Sequence, residues 1–370
     1  MAWTEWIDGQ LGEIARSDRW RQTRSLEGPG PDFSLPDGRR VISFASNDYL
    51  GLSHHPGVIS AAHDALDRHG TGAGSSRLIV GSRGFHDEFE SAVAAWRGTE
   101  RALMFPTGYA ANLAVLSTLG SGARIVSDEL NHASIIDGAR LARSEVRVYR
   151  HRDVDHAGRL IRETPQRSVI VTDSVFSMDG DIAPIAELSE LCASTGSLLV
   201  LDDAHVVLDV PPPHPDAACV RVGTMSKMLG SLGGFVAASS AVIDLLVNRA
   251  RSFIFTTAPT AADTAAALAA IRVCQSPEGA DLRRQLRANI DAFSPDHPSP
   301  IVPIVLGEEA AAMSTSAMLL DRGFLVPAIR PPTVPENTSR LRLAFSAAHT
   351  RDQVSSLRSL LMSGGSGPRR

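Results

Sequence analysis

Two short segments hold side chains that could do chemistry. The first reads Leu198-Leu-Val-Leu-Asp202-Asp203-Ala-His205, an apolar run that ends in two carboxylates and a histidine. The second reads Val220-Arg-Val-Gly-Thr224-Met-Ser226-Lys227, followed by Gly230-Ser-Leu-Gly233-Gly234. Taken alone, an Asp pair can simply cap a strand end, and a lysine is ordinarily a solvated surface charge. Lys227, however, follows an apolar strand and precedes a glycine turn, which would hold it inside a cleft. A desolvated lysine loses much of its preference for the charged form and can act as nucleophile or base.

Together the segments meet the needs of a pyridoxal phosphate site. The lysine would form the Schiff base. A strand-end carboxylate would pair with the ring nitrogen and keep it protonated. Hydroxyls and backbone N–H groups near glycines would hold the phosphate. Phe105-Pro-Thr-Gly108-Tyr109 adds a strand-turn-helix start, hence an anion site at a helix N-terminus. Other patterns fall short. Gly70-Thr-Gly72-Ala-Gly74 misplaces its third glycine and follows a helix, where a dinucleotide fingerprint needs a strand. Gly223-Thr-Met-Ser-Lys227 lacks the glycine that a P-loop places before its lysine. His54-His55 and His151/His156 read as surface or loop histidines, and no metal site is expected.

The elements that must position these groups follow from periodicity. Residues 1–45 read as an Arg-rich amphipathic helix, a Pro/Gly stretch and a hairpin-like pair ending at Phe44. Helices are expected over Val58–His69 and Phe85–Trp96, with a glycine loop over Gly70–Gly84 between them. From about residue 100, apolar strands alternate with helices: Ala102–Phe105 and Tyr109–Leu119, Arg124–Ser127 and Ala133–Arg143, Val146–Tyr149 and Val154–Arg162. The rhythm continues through Val169–Thr172, Ile185–Ser194, Leu198–Leu201, Val220–Val222, Gly234–Ala238 and Val242–Arg251. That alternation predicts an α/β fold with a mostly parallel, doubly wound sheet, whose chemistry gathers at the carboxyl ends of its strands. Two helices over 260–293 precede a smaller α+β portion over 301–362. The division expected is an arm (1–45), a large domain (46–258), connecting helices (259–295), a small domain (296–362) and a Gly/Ser-rich tail (363–370).

Composition narrows the function. The chain has 370 residues, 43% hydrophobic and 21% charged, which is ordinary globular usage. Its 36 basic and 41 acidic residues leave a net charge of −5. With no long basic run before Arg369-Arg370, neither a nucleic-acid partner nor an anionic membrane is expected. Cys192, Cys219 and Cys274 are too few and scattered for a disulfide framework, which favours a reducing compartment. The N-terminal stretch has no basic region followed by an apolar one, so no signal peptide is expected. The uncharged window from Ala102 to Ala123 is long enough to span a membrane, but Pro106, Asn112 and three glycines make it a strand, turn and helix start.

From about residue 3 to 360 the chain resembles the α-oxoamine synthases, fold-type I pyridoxal-phosphate-dependent transferases. The resemblance rests on Ser46-Asn47-Asp48-Tyr49-Leu50-Gly51-Leu52, Gly108-Tyr109-Ala-Ala-Asn112, His132-Ala-Ser134, Val175-Phe-Ser177-Met-Asp179-Gly180, Asp202-Asp203-Ala-His205, Ser226-Lys227 and Ile329-Arg330-Pro-Pro-Thr333-Val-Pro335. The last of these is closer to the oxononanoate branch than to the aminolevulinate, aminoketobutyrate or sphingoid-base branches. The resemblance implies a mostly parallel central sheet with helices on both faces plus a smaller α+β domain. It implies that Lys227 is the Schiff-base lysine, Asp202 the partner of the ring nitrogen, His205 the neighbour of the phenolic oxygen and His132 the imidazole stacked on the cofactor. Without the other motifs, His132 beside Asn131 would read as an N-cap histidine. Gly108, Tyr109, Ser177 and Thr224 map onto cofactor contacts, and Thr256 or Thr257 onto a phosphate contact made across a homodimer interface. Asn47, His132 and Thr333 map onto the substrate site. Arg342 is the candidate for the amino-acid carboxylate, with Arg340 as fallback. Arg21 is the candidate for the acyl substrate, with Arg19 and Arg24 nearby.

The implied reaction is a decarboxylative condensation of L-alanine with a pimeloyl thioester, on CoA or acyl carrier protein, in biotin biosynthesis in the cytoplasm. The resemblance has one departure. Where the family carries a glycine-bearing loop after its histidine, this chain reads Val206-Val-Leu-Asp-Val-Pro211-Pro-Pro-His-Pro215. That change motivates two alternatives: a related synthase using another amino acid and acyl donor, and a non-catalytic scaffold that keeps the fold.

Overall fold

The computed structural model describes residues 2–17, 19–163 and 167–363. The chain begins with α1 (Trp3–Arg16), β1 (Asp32–Ser34), β2 (Arg40–Ser43), α2 (Pro56–His69) and α3 (Gly84–Arg97). The alternating stretch follows as β3 (Arg101–Phe105), α4 (Gly108–Leu119), β4 (Arg124–Asp128), α5 (Ala133–Leu141), β5 (Val146–Tyr149), α6 (Val154–Arg162), β6 (Ser168–Asp173), α7 (Ile185–Thr195), β7 (Leu198–Asp202), β8 (Cys219–Thr224) and β9 (Gly234–Ala238). It continues with α8 (Ser240–Arg249), α9 (Arg251–Ile254), α10 (Ala261–Cys274) and α11 (Pro277–Phe293), then β10 (Ile301–Gly307), α12 (Glu309–Asp321), β11 (Phe324–Leu325), β12 (Ala328–Ile329), β13 (Ser339–Ala344) and α13 (Arg351–Ser363).

Seven strands form one sheet in the order β3-β9-β8-β7-β6-β4-β5. Only β9 runs antiparallel to its neighbours. The sheet is buried on both faces, which explains its near-continuous apolar strands. Along β6, Val169 and Val171 face one apolar cluster with Val115 and Ile135, while Ile170 faces another with Ile161 and Leu188. The mostly parallel sheet with helices on both faces is therefore as expected. Parallel pairing also brings the carboxyl ends of β4, β6, β7 and β8 into one row, so Asp128, Asp173, Asp202 and Thr224 end adjacent strands.

The two ends of the chain build two smaller sheets, β1-β2-β11 and β10-β13-β12. Phe324 of β11 pairs in parallel with Ile42 of β2. Phe44, Phe345 and the ring of His349 stack beneath them.

Three boundaries depart from the periodic reading. The expected loop over Gly70–Gly84 contains a five-residue wide helical turn, Arg77–Gly81. It is held by the buried Arg77, which pairs with Glu90 at 2.8 Å. The helix expected through Arg143 stops at Leu141, because Arg143 takes a left-handed φ of 53°. The helix expected over Val242–Arg251 breaks at the extended Ala250 into α8 and α9. At the far end Ser363 closes α13, and 364–370 of the expected tail lie outside the described residues.

The start of β9 is packed against the turn before α4. A Cβ on Gly234 would lie 2.5 Å from the backbone of Thr107 and Gly108. Gly234→Ala is therefore expected to cost about 1–3 kcal/mol through overpacking and to lower the melting temperature by several degrees. Calorimetry of the two proteins checks this.

Candidate active site

Lys227 lies in the turn between β8 and β9, and that turn is fixed by its own hydrogen bonds. The Thr224 hydroxyl donates to the Gly233 carbonyl at 2.9 Å and accepts from the Ser226 N–H at 3.1 Å. Gly230 takes a φ of +59°, and a Cβ there would lie 2.3 Å from the Ser53 backbone, so glycine is required for this close approach. The turn directs Lys227 inward, where Nζ lies 2.9 Å from Nε2 of His205. Burial holds the ammonium below its ordinary pKa, against the opposing pull of Asp202 and Asp173. Burial, reinforced by Lys227, also holds His205 well below the usual imidazole range.

Asp202 ends β7 opposite Asp173 of β6. Its Oδ1 accepts the Ala204 N–H at 2.9 Å and its Oδ2 accepts Nδ2 of Asn112 at 2.6 Å. Asp173 accepts the backbone N–H of His132 at 3.0 Å. Burial and the nearby Asp202 push the Asp173 carboxyl well above the usual carboxylate range. His132 is the N-cap of α5, as the reading without the other motifs expected, and it also lines the cavity. Thr107 caps α4, its Oγ1 accepting the Ala110 N–H at 3.0 Å. The helix thus opens at Gly108 and Tyr109, whose N–H groups have no partner within the helix, beside Thr224. These groups enclose a cavity of about 220 Å³ that is also lined by Ser134 and Ser226.

Arg342 of β13 adjoins the site, although neither it nor Asn47 lines the cavity. Its Nη2 donates to Oδ1 of Asn47 at 3.0 Å and its Nε to the Ser177 carbonyl. Asn47 also accepts the Tyr49 hydroxyl at 3.1 Å, and that hydroxyl lies 2.6 Å from Nδ1 of His205. Arg342 forms no ion pair among the described residues, whereas Arg340 is committed to Asp179. A second groove of about 820 Å³ brings together Arg21, Trp20 and Thr333. There Arg19 is bound to Glu309 at 2.8 Å, while Arg21 has no ion pair among the described residues.

Some expected residues do not meet in this single chain. Thr256 and Thr257 follow α9 outside the cavity, where Thr257 pairs with Ser76. Ser177 meets Arg342 only through its carbonyl and does not line the cavity. Of the unusual segment after His205, no residue from Val206 to Pro215 lines the cavity. Val207 is buried in the core, and the His214 N–H is anchored to Ser189 at 2.7 Å. The second carboxylate of the Asp202-Asp203 pair is structural, bound to Arg221 at 2.7 Å.

Sequence reading assigned no role to Asp173, Asn112, Ser134 or Tyr49. Asp173 was findable, since it ends an apolar strand just as Asp202 does. His151, expected to be a loop histidine, is one with two carboxylate partners, Asp128 at 2.9 Å and Asp181 at 2.8 Å. It braces the turn that carries Ser177.

The family of class I and II aminotransferases matches residues 39–361. An 8-amino-7-oxononanoate synthase from Methylobacterium sp. is 47% identical over 336 residues, covering 88% of this chain and 87% of that protein. A protein of the same name from Geotalea daltonii is 42% identical over 369 residues, covering 93% of this chain and 94% of that one. Among solved structures, serine palmitoyltransferase from S. paucimobilis with bound PLP-myriocin aldimine superposes with a TM-score of 0.91 at 28% identity, covering 99% of this chain and 98% of that one. An 8-amino-7-oxononanoate synthase from Francisella tularensis gives a TM-score of 0.73 at 27% identity, covering 88% of this chain and 98% of that one.

The His151 brace makes stability depend on pH. Burial opposes its charge, but the hydrogen bonds to Asp128 and Asp181 outweigh burial and raise the imidazole to about 9. A raised folded pKa gives stability that is complete below the unfolded value of about 6.5 and lost as pH rises through about 9. His151→Gln is therefore expected to destabilise by roughly 2 kcal/mol at pH 6 and by much less at pH 10. Urea denaturation of both proteins across that range checks it.

Proposed function

The chain belongs to the class I and II aminotransferase family and, within it, to the 8-amino-7-oxononanoate synthases, and from that premise we propose that its cavity condenses L-alanine with a pimeloyl thioester. The products are 8-amino-7-oxononanoate, CO₂ and the free thiol of CoA or of an acyl carrier protein. The observation that carries this reading is a buried Lys227 facing His205 and two carboxyl groups, with the ion-pair-free Arg342 close by.

The cavity suits pyridoxal 5'-phosphate. Its amine is buried and forms no ion pair among the described residues, an N-terminal helix end stands beside Thr224, and Oδ1 of Asn112 is a buried acceptor without a partner among the described residues. Lys227 would hold the aldehyde carbon, Asp202 the ring-nitrogen proton, and His205 the phenolic oxygen. Thr224 and the Gly108 and Tyr109 N–H groups would hold the phosphate. When bound, the cofactor supplies an electron sink for negative charge at the substrate Cα.

The chain's own residues do the rest. Lys227, kept low in pKa by burial, takes the proton from Cα of alanine and returns one after CO₂ leaves. Arg342 binds the alanine carboxylate in a planar, bidentate fashion, with Asn47 and the Ser177 carbonyl fixing its orientation. His132 covers the reacting face and directs a polar edge at the charge that develops on the thioester oxygen. Arg21 and Thr333 receive the acyl donor in the second groove. A second copy of the chain completes the site, with Thr256 or Thr257 reaching the phosphate held by its neighbour. The division into arm, large domain, connecting helices and small domain places this groove between the arm and the small domain. The enzyme works in the cytoplasm. No helix among the described residues is long and apolar enough to cross a membrane.

Purified holoenzyme given L-alanine and pimeloyl-CoA, or the pimeloyl carrier protein, is expected to release thiol and CO₂. Lys227→Ala should lower turnover at least about a thousandfold, and Arg342→Lys should raise the KM for alanine about tenfold or more. Turnover of glycine with short acyl-CoAs, and none with either pimeloyl donor, would overturn the assignment.

A further inference from the structure

Asn112 and Ser134 are both buried in the wall of the cavity, yet neither has a part in the reaction as derived above. Their hydrogen bonds form one continuous chain. Nδ2 of Asn112 contacts Oδ2 of Asp202 at 2.6 Å and Oγ of Ser134 at 2.9 Å. Oγ of Ser134 in turn lies 2.7 Å from Nδ1 of His132.

Donor counting gives this chain a direction. A flipped Asn112 amide would set its carbonyl oxygen against the Asp202 carboxylate, acceptor against acceptor, so the NH₂ faces Asp202. That NH₂ spends its two protons on Asp202 and Ser134. The Ser134 hydroxyl, having accepted one, can still donate. Nδ1 of His132 also receives the backbone N–H of Ser134 at 3.2 Å. A proton on Nδ1 would collide with that N–H, so Nδ1 is an acceptor and takes the Ser134 hydroxyl proton. The ring proton is left on Nε2.

We infer that Asn112 and Ser134 are positioning residues that fix His132 in its Nε2–H form and tie it to Asp202. This rests on the proposed reaction for its purpose but not for its geometry. The result is a neutral imidazole that presents a donor at Nε2, held in one orientation whether or not substrate is present. Asp202 and His132 then cannot shift independently, because Asn112 holds one and, through Ser134, the other.

Long-range ¹H–¹⁵N spectra of ¹⁵N-histidine-labelled protein read the tautomer directly, in the holoenzyme and in the cofactor-free chain. The His132 resonances are assigned by their loss in His132→Asn. The Nε2–H pattern is expected for the unaltered chain, and an Nδ1–H pattern would overturn the inference without touching the assignment of the reaction. Ser134→Ala is expected to mix the tautomers and lower kcat roughly tenfold, the size of effect seen when a partner orienting a functional imidazole is removed, with the KM for alanine little changed. The double variant Asn112→Ala/Ser134→Ala should lose less than the two single changes combined predict, as for links in one chain, and full additivity would overturn the link. Unchanged tautomer and kcat in Ser134→Ala, in protein with full cofactor content, would also overturn it.

Discussion

Two carboxyl groups on neighbouring strands, Asp173 and Asp202, are buried side by side, and the rest of the site answers to that constraint. Like charges at that proximity in the interior repel strongly, and each also loses its water. The structure accommodates them unequally. Asp202 accepts two hydrogen bonds, from the Ala204 N–H and from Nδ2 of Asn112, while burial and the nearby Asp202 push the Asp173 carboxyl well above the usual range. Lys227 stands close enough for both to oppose its loss of charge. The site thus holds an amine whose pKa burial lowers beside a carboxyl group fixed by two donors, a combination suited to amine chemistry at a ring cofactor.

Much of this was legible in the sequence. Strand-end placement singled out Asp202, His205 and Lys227, because an apolar run that stops at a polar residue points that residue at the sheet's carboxyl edge. The sheet itself followed from the alternation of strands and helices. What stayed hidden depends on register and on contacts between distant segments. Asp173 meets Asp202 only because β6 and β7 pair in step, and residue spacing does not announce that register. That Arg340 rather than Arg342 is ion-paired depends on Asp179, and that Arg19 rather than Arg21 is depends on Glu309, partners 161 and 290 residues away. The short turn at Arg77–Gly81 was masked by its glycines, since the buried Arg77–Glu90 pair that holds it is a tertiary contact.

The altered segment after His205 illustrates how a sequence departure can miss the chemistry. It replaces glycines with prolines and valines next to a site residue, yet its side chains turn away. Val207 joins the core and the following loop is tied to α7 through Ser189. Tertiary packing moved the change from the cavity wall to its scaffold.

The pairing of β2 with β11, and of Asn47 with Arg342 across 295 residues, carries a consequence for how the molecule comes into being. Contacts of such long sequence separation form late, because the loop between them must first close. On the ribosome the parallel sheet can begin to assemble while the last strands are still unsynthesised. In the proposed reaction, the guanidinium that would bind the substrate's carboxylate arrives only with β13. On that reading, a nascent or prematurely ended chain can hold Lys227, His132, His205, Asp173 and Asp202 in place without Arg342, and a grip on the amino acid's carboxylate is the last property it would acquire.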